Sequence, residues 1–191
     1  MAATEPIRNK KDVKAMERFY LERGELRNHA LVVMSIYTAL RVSDLLSLKW
    51  SDVYDFRLRR VRESVRLVEG KTGKSKTVAL HKKVLRALTL LVSWRPAAPD
   101  AAVFKSRKTG RAIGRVQAYR VIKAAADTLR IGRVSCHSLR KTFGYHAWKS
   151  GVSPAVIMEI YNHTSFAVTR RYLGVSQDDK DEVYLGLDMS A

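Results

Sequence analysis

The sequence predicts a mainly α-helical domain with one small antiparallel β-sheet, an α+β fold. Hydrophobic residues make up 46% of the 191 residues and recur at helical spacing over most of the chain. One stretch, 59–68, alternates polar and apolar residues instead, and a polar turn with a second short apolar run follows it. We find no repeat and no low-complexity segment. A chain of this length fits a single domain, 1–191, that buries a hydrophobic core.

The first elements are helices. Residues 10–21 carry apolar side chains at helical spacing, and Asn9 is placed to cap them. Residues 28–40 form a more apolar helix that we expect in the core. Residues 43–48 predict a short helix with Ser43 as its cap.

A hairpin follows the short helices. The alternating stretch 59–68 predicts its first strand, 70–76 a polar turn, and 77–80 its second strand. The tip of this hairpin carries three lysines: Lys71, Lys74 and Lys76.

The rest of the chain predicts helices and one short strand. Residues 81–94 form a helix that Pro96 and Pro99 end, and 101–104 a short strand before the basic turn KSRKTGR. The remaining helices are 115–129, 137–149, 154–161, 166–173 and a last short helix at 177–187.

The charge balance indicates a polyanionic partner. There are 36 Lys and Arg against 18 Asp and Glu, a formal charge of +18. Nucleic acid and an anionic membrane surface both fit, but the basic residues are spread along the chain, which favours nucleic acid. We find neither a bilayer-spanning apolar run nor a signal-peptide core. With Cys136 as the only cysteine, the expected compartment is a reducing cytosol.

Two motifs place arginines beside other reactive groups. "TALRVSDLLSLKW" puts Arg41 at the end of an apolar helix, ahead of Asp44. A surface ion pair between these two, contributing about 0–1 kcal/mol, is the simpler explanation. "CHSLRKTF" puts His137 and Arg140 three positions apart, on one helix face. Taken alone, His137 is more typical of a helix cap or a core histidine.

A third motif brings a histidine and a tyrosine together. Residues 162–174 read NHTSFAVTRRYLG, with His163 ahead of Tyr172 and two arginines directly before the tyrosine. A surface helix in which Tyr172 only packs would explain this segment. The alternative is a phenol held near cations because it reacts with a phosphate.

In this order, the motifs give Arg, Lys, His-x-x-Arg, His and Tyr, and the chain from about 10 to 187 resembles the tyrosine recombinases, or phage integrases. The resemblance implies the catalytic-domain fold of that family. It assigns phosphate clamping to Arg41 and Arg140, the hairpin lysine and proton donor to Lys71, acid/base and phosphate contacts to His137 and His163, the nucleophile to Tyr172, and a supporting acid to Asp44.

The chain departs from the family pattern at three points. Asn162 stands where a glycine is usual before the second histidine, and Ala39 where a glycine is common before the first arginine. Most members also have an N-terminal domain that clamps DNA, and 191 residues leave no room for it. We expect that core-binding domain to be absent from these residues, which resemble either a catalytic domain cut from a longer protein or one of the short members that consist of the catalytic domain alone. We also expect residues 174–191 to form a tail that packs on a neighbouring protomer.

The resemblance implies site-specific recombination or integration of double-stranded DNA through a 3′-phosphotyrosyl intermediate, as in prokaryotic, phage and mobile-element systems. It implies no cofactor and no metal, a tetrameric synapse, accessory DNA-bending proteins, and a cytoplasmic, nucleoid-associated protein. The residues that we expect to contact the DNA backbone are Lys74, Lys76, Arg107, Lys108, Arg111 and Arg115.

Two other functions remain open from the sequence. A noncatalytic DNA-binding module would keep the motif residues as phosphate contacts only. A type IB topoisomerase shares the chemistry, but the short hairpin and the compact length favour it less.

Overall fold

The computed structural model describes residues 4–94 and 98–188, and this part of the chain confirms the mainly α fold class with ten helices and four short strands. The helices are α1 Lys10–Phe19, α2 Leu26–Tyr37, α3 Val42–Ser47, α4 Trp50–Val53, α5 Lys82–Trp94, α6 Arg115–Thr128, α7 Cys136–Lys149, α8 Pro154–Tyr161, α9 Phe166–Leu173 and α10 Gln177–Gly186. The strands are β1 Tyr54–Asp55, β2 Arg60–Val61, β3 Ser64–Val68 and β4 Ser75–Ala79.

Helix α2 forms the centre of the core. Its run LRNHALVVMSIY is apolar on nearly every side, which is the pattern of a fully buried helix. Leu31 and Met34 have no exposed surface. The helices α1, α5, α6 and α7 pack around it. Because α2 is rigidly enclosed, the segment that leaves its C-terminal end and carries Arg41 starts from a fixed position.

The strands form two sheets rather than one. Strands β1 and β2 pair antiparallel, and β3 pairs antiparallel with β4 from Ser64↔Ala79 to Val68↔Ser75. The prediction of a single strand at 59–68 was wrong. The backbone at Arg59 is left-handed, and after β2 the chain changes partner, so β3 pairs onward with β4 alone. We call residues 64–79 the lysine hairpin.

Other local predictions can be compared directly. Asn9 caps α1 and accepts a hydrogen bond from the Lys11 amide at 2.8 Å, as predicted. The cap of α3 is Arg41 instead of Ser43, because the helix begins one residue earlier. The predicted strand at 101–104 is only an isolated bridge between Lys49 and Ala102. Pro96 lies outside the described residues.

The last helices enclose a second, smaller core. Helices α8 and α9 have the predicted bounds, because Ser153 caps α8 ahead of a proline at its first position and a glycine ends α9. Ile157, Tyr161 and Leu173 are buried together, with Tyr172 packed against them. In the described part of the chain, no helix has the length and apolar character needed to cross a bilayer.

Candidate active site

Arg140 is a deeply buried charge of the site. Helix α7 presents it with only 1% of its surface exposed. Its guanidinium donates to the carbonyls of Ala39 and, at 3.2 Å, Tyr161, and lies 4.7 Å from the Tyr161 ring centroid. Burial and the charge of Arg41 lower the pKa of Arg140. The Arg140 guanidinium is therefore held rigidly by backbone acceptors, close to a second arginine.

That second arginine, Arg41, is held by a carboxylate. Its Nη1 lies 2.8 Å from Glu69 Oε2, and the Glu69 side chain has no exposed surface. Thr72 also donates its hydroxyl to Glu69 at 2.8 Å. Burial by itself would raise the pKa of Glu69, but the contact with the Arg41 guanidinium and the hydrogen bond from Thr72 outweigh it and leave that pKa lowered. Glu69 is therefore an ionised carboxylate that orients Arg41.

The predicted supporting acid, Asp44, is buried and lies beside the same hairpin. Its Oδ1 accepts the Gly70 amide at 3.2 Å. The simple surface pair of Arg41 with Asp44 is therefore not what forms, because the ion-pair partner of Arg41 is Glu69. Asp44 fixes instead the backbone next to Lys71.

His163 lies between two aromatic rings. It stacks on Tyr161 at 5.0 Å and meets the edge of Tyr172 at 4.6 Å. Its Nδ1 is 3.0 Å from the hydroxyl of the buried Thr169. Burial, followed by the charges of Arg140 and Arg41, lowers the pKa of His163 to about 4. The imidazole is neutral at pH 7, and a tautomer that accepts from Thr169 presents its Nε2 proton as a donor.

Tyr172 lies in the site of its own chain. Its ring is half-buried, 4.9 Å from His137 and 4.6 Å from His163. The Arg140 guanidinium and the Lys141 ammonium each lie 5.8 Å from its centroid. The two arginines that precede it in the sequence, residues 170 and 171, are exposed. The cations that reach the phenol come from α7 instead.

His137 is exposed at the mouth of this cluster, near the start of α7. Partial desolvation of its ring, followed by the charges of Lys141 and Arg140, lowers its pKa. The charge of Lys71, in the turn of the lysine hairpin, also contributes to this shift. A neutral imidazole next to the phenol is suited to accept its proton.

The hairpin lysines divide into two kinds. Lys71 and Lys74 are exposed at the turn, as predicted. Lys76 is not at the tip but within β4, because the strand begins one residue before it, and its Nζ donates to the Ile160 carbonyl. Burial, with the charge of Arg140 next, lowers its pKa to about 8.

The other predicted backbone contacts lie on the surface. Arg107, Lys108, Arg111 and Arg115 are all exposed. Arg107 lies 5.5 Å from the Trp94 ring, beside a cavity of about 490 Å³ whose lining contains none of the six predicted catalytic residues. This cavity is separate from the cluster around Tyr172.

The sequence did not predict three residues that hold the site side chains in place. Glu69 directly precedes the predicted hairpin turn, Thr169 follows His163 within the same motif, and Tyr161 ends α8. Their residue types gave no signal, since a glutamate before a turn is usually solvated. A signal existed only for Thr169, because it lies one turn before Tyr172 on the same helix.

Together these groups place cationic side chains beside a phenol. Arg41 and Arg140 supply two guanidiniums, a group suited to binding phosphate oxygens, and two imidazoles flank a phenol. Among the residues that the structure describes, no cluster of three or more His, Cys, Asp or Glu side chains could hold a metal ion. The geometry is suited to attack of a phenol on a phosphodiester.

Curated relatives share most of this chain. "Probable integrase/recombinase YoeC" of Bacillus subtilis (strain 168) is 29% identical over 184 residues, which cover 96% of this chain and 97% of that protein. "Tyrosine recombinase XerD" of Mycobacterium tuberculosis (strain H37Rv) is 32% identical over 168 residues, 84% of this chain and 52% of that protein. The chain thus spans about half the length of the XerD relative and nearly all of YoeC.

Solved structures share the fold. The crystal structure of XerA recombinase matches with a TM-score of 0.78 at 22% identity, over 97% of this chain and 65% of that one. A post-cleavage complex of XerH site-specific recombinase with its difH substrate matches with a TM-score of 0.75 at 18% identity, over 96% of this chain and 53% of that one. The model of the phage integrase family matches residues 9–178. The chain therefore belongs to the phage integrase family, the family of the tyrosine recombinases.

Proposed function

We propose that this chain is a site-specific DNA recombinase that cleaves and rejoins strands through a covalent 3′-phosphotyrosyl intermediate. The observation that carries this proposal is the position of Tyr172, enclosed by His137, His163 and the Arg140 guanidinium of its own chain. A tyrosine that only packed would not require two imidazoles and a buried arginine around its ring.

In the proposed reaction, the Tyr172 oxygen attacks the scissile phosphorus. Arg41 and Arg140 bind the nonbridging oxygens, where negative charge grows in the transition state. His137 takes the phenol proton, and His163 donates Nε2–H to a phosphate oxygen. A phenol has an ordinary pKa of about 10, so the surrounding cations favour its ionisation as that proton leaves.

The bond to the 5′ oxygen breaks as the phosphotyrosine forms. That oxygen leaves with a proton from Lys71, and a 5′ hydroxyl of the partner strand later attacks the phosphotyrosine to release Tyr172. Because the aryl ester retains the energy of the broken bond, rejoining needs no nucleotide hydrolysis.

Double-stranded DNA is the proposed partner, and the exposed basic residues supply further backbone contacts. If these neutralise roughly 6–10 phosphates, affinity falls about 10³–10⁵-fold between 50 and 200 mM salt. Of the contacts expected from the sequence, those that the structure leaves exposed are Lys74, Arg107, Lys108, Arg111 and Arg115, whereas Lys76 is turned inward to the Ile160 carbonyl. This substrate would place the protein on nucleoid DNA, where DNA-bending proteins could assist.

Self-association on DNA is the second part of the proposal. Helix α10 exposes 64% of Val183, 80% of Tyr184 and 89% of Leu185. Exposed apolar side chains on one short segment are typical of an interaction surface. We assign them to a contact with a neighbouring protomer, in a synapse of four chains on two duplexes.

Covalent trapping tests the proposed chemistry. The chain is incubated with a library of nicked suicide duplexes, and strands in SDS-stable adducts are sequenced to give the preferred site. Tyr172→Phe is expected to bind this duplex normally and form no adduct. Tyr119→Phe, a half-exposed tyrosine on α6, is the matched control and is expected to form it. An adduct with Tyr172→Phe would refute the nucleophile, and none with the unmodified chain would favour a noncatalytic DNA-binding module.

A further inference from the structure

The lysine hairpin is tied to the rest of the domain on both strands, close to its tip. At the end of β3, Glu69 pairs with Arg41 at 2.8 Å. On β4, the Lys76 ammonium donates to the Ile160 carbonyl. Lys71 lies in the turn between these two attachments. The position of Lys71 therefore depends on both of them.

The attachment through Lys76 is made to the end of a helix. Ile160 is the penultimate residue of α8, where carbonyls lack partners within the helix and a cation interacts favourably with the helix dipole. The next carbonyl, that of Tyr161, accepts from Arg140 at 3.2 Å. Lys76 and Arg140 therefore hold adjacent carbonyls of the helix end that precedes His163.

This contact is unfavourable for folding in one respect. Burial and the charge of Arg140 lower the pKa of Lys76 to about 8, while Glu69 acts in the opposite direction. A cation next to a buried arginine destabilises the folded state unless it makes a contact that an apolar side chain could not make. The hydrogen bond from Lys76 to the Ile160 carbonyl, which joins β4 to α8, is such a contact.

We propose that Lys76 is a positioning residue, which holds the returning strand of the lysine hairpin against α8 and so places Lys71 at the departing 5′ oxygen. This inference rests on the proposed function, with Lys71 as the proton donor. Lys76 itself touches neither the phosphate nor the leaving group. Its effect on the reaction passes through the position of the hairpin tip.

A leaving group that needs no proton separates this role from a general loss of structure. We compare single-turnover cleavage of the trapped duplex with that of the same duplex carrying sulfur in place of the scissile 5′ oxygen. A thiol has a pKa of about 8.5 and water one of about 15.7, so the sulfur departs without a proton donor.

The first variant is Lys76→Met, which keeps the side-chain length and removes the ammonium. General acid catalysis contributes roughly 10²–10⁴-fold, and we expect Lys76→Met to lose at least about tenfold of it on the oxygen substrate. On the sulfur substrate its rate should stay near that of the unmodified chain. Lys76→Arg should restore most of the rate on oxygen. Lys82→Met, an exposed lysine just after the hairpin, should match the unmodified chain on both substrates.

Combining two variants tests whether Lys76 acts through Lys71. If it does, Lys71→Met with Lys76→Met is no slower on oxygen than Lys71→Met alone. Losses that multiply would show an independent role, and an equal loss on oxygen and sulfur would show a role in phosphate binding or folding. Either result overturns the proposal. If the unmodified chain formed no adduct on either substrate, the proposed function would fail, and the role of Lys76 with it.

Discussion

Replacing Arg41 should destabilise the fold as well as the chemistry, because its partner Glu69 cannot reach solvent. Glu69 has no exposed side-chain surface and Arg41 retains 19%. Removing one member of a buried pair costs about 3–5 kcal/mol. Arg41→Met leaves the enclosed carboxylate without its cation, so its loss of unfolding free energy should be near the upper end of this range. Glu69→Gln leaves an arginine that can turn towards water, so its loss of unfolding free energy should be near the lower end of this range.

The double variant gives the sharper test. Arg41→Met combined with Glu69→Gln contains no unpaired buried charge, so it should be more stable than Arg41→Met alone. Urea unfolding at pH 7, followed by tryptophan fluorescence, measures the free energy of unfolding for each chain. Glu22→Gln is the matched control, because Arg18 and Glu22 lie 2.9 Å apart on the surface and contribute about 0–1 kcal/mol.

Two results would refute this reasoning. One is that Arg41→Met lowers the free energy of unfolding by less than about 1 kcal/mol. The other is that the double variant is less stable than Arg41→Met alone. The pH dependence gives a further check on the sign. Since the pKa of Glu69 is lowered from 4.5, the native state binds fewer protons, and the stabilisation is present above pH 4.5 and lost as the pH falls through the folded pKa. The advantage of the unmodified chain over Glu69→Gln should therefore shrink in acid.

Three other predictions follow from single contacts. Thr169→Val removes the partner of His163 Nδ1 and should slow adduct formation by about fivefold, the effect of one hydrogen bond of about 1 kcal/mol. In the pH profile of adduct formation, His163 should cause no change in rate between pH 5 and 8, because its pKa of about 4 keeps it neutral there. Gly144→Ala would place a Cβ 2.6 Å from the Tyr161 hydroxyl and cost about 1–3 kcal/mol of stability in urea unfolding, and adding Tyr161→Phe should recover part of that loss. The folded pKa of Lys76 lies below its ordinary 10.5, so the unmodified chain should gain stability relative to Lys76→Met between pH 8 and 10, measured by urea unfolding at each pH.

Local signals predicted the elements around the nucleophile well. The serine and proline at the start of α8 and the glycine after α9 mark helix ends through contacts within a few residues, and both helices have the predicted bounds. The order of motifs likewise identified Arg140 and Tyr172, which the structure brings together. Periodicity and capping act over one or two turns, so a single sequence contains them.

Contacts between distant residues were not predictable in the same way. Arg41 was expected to pair at most with Asp44, three positions away, yet it pairs with Glu69. Lys76 was expected at an exposed tip, but its contact with Ile160 lies 84 residues away. Which acid becomes the partner of an arginine depends on how the hairpin lies over α3. No local pattern specifies that arrangement.

The two glycine positions at which this chain departs from its family are connected through Arg140. Ala39 and Asn162 both have a left-handed backbone, with φ of 53°. Such a conformation costs an L-residue about 1–2 kcal/mol, and asparagine tolerates it better than alanine. The carbonyls that accept from Arg140 belong to Ala39 itself and to Tyr161, the residue before Asn162. Each left-handed turn therefore lies where the backbone must present a carbonyl to the buried guanidinium. The hydrogen bonds of Arg140 offset the backbone strain, so loss of the arginine should relax both turns and displace Arg41 and His163, which follow them in the sequence.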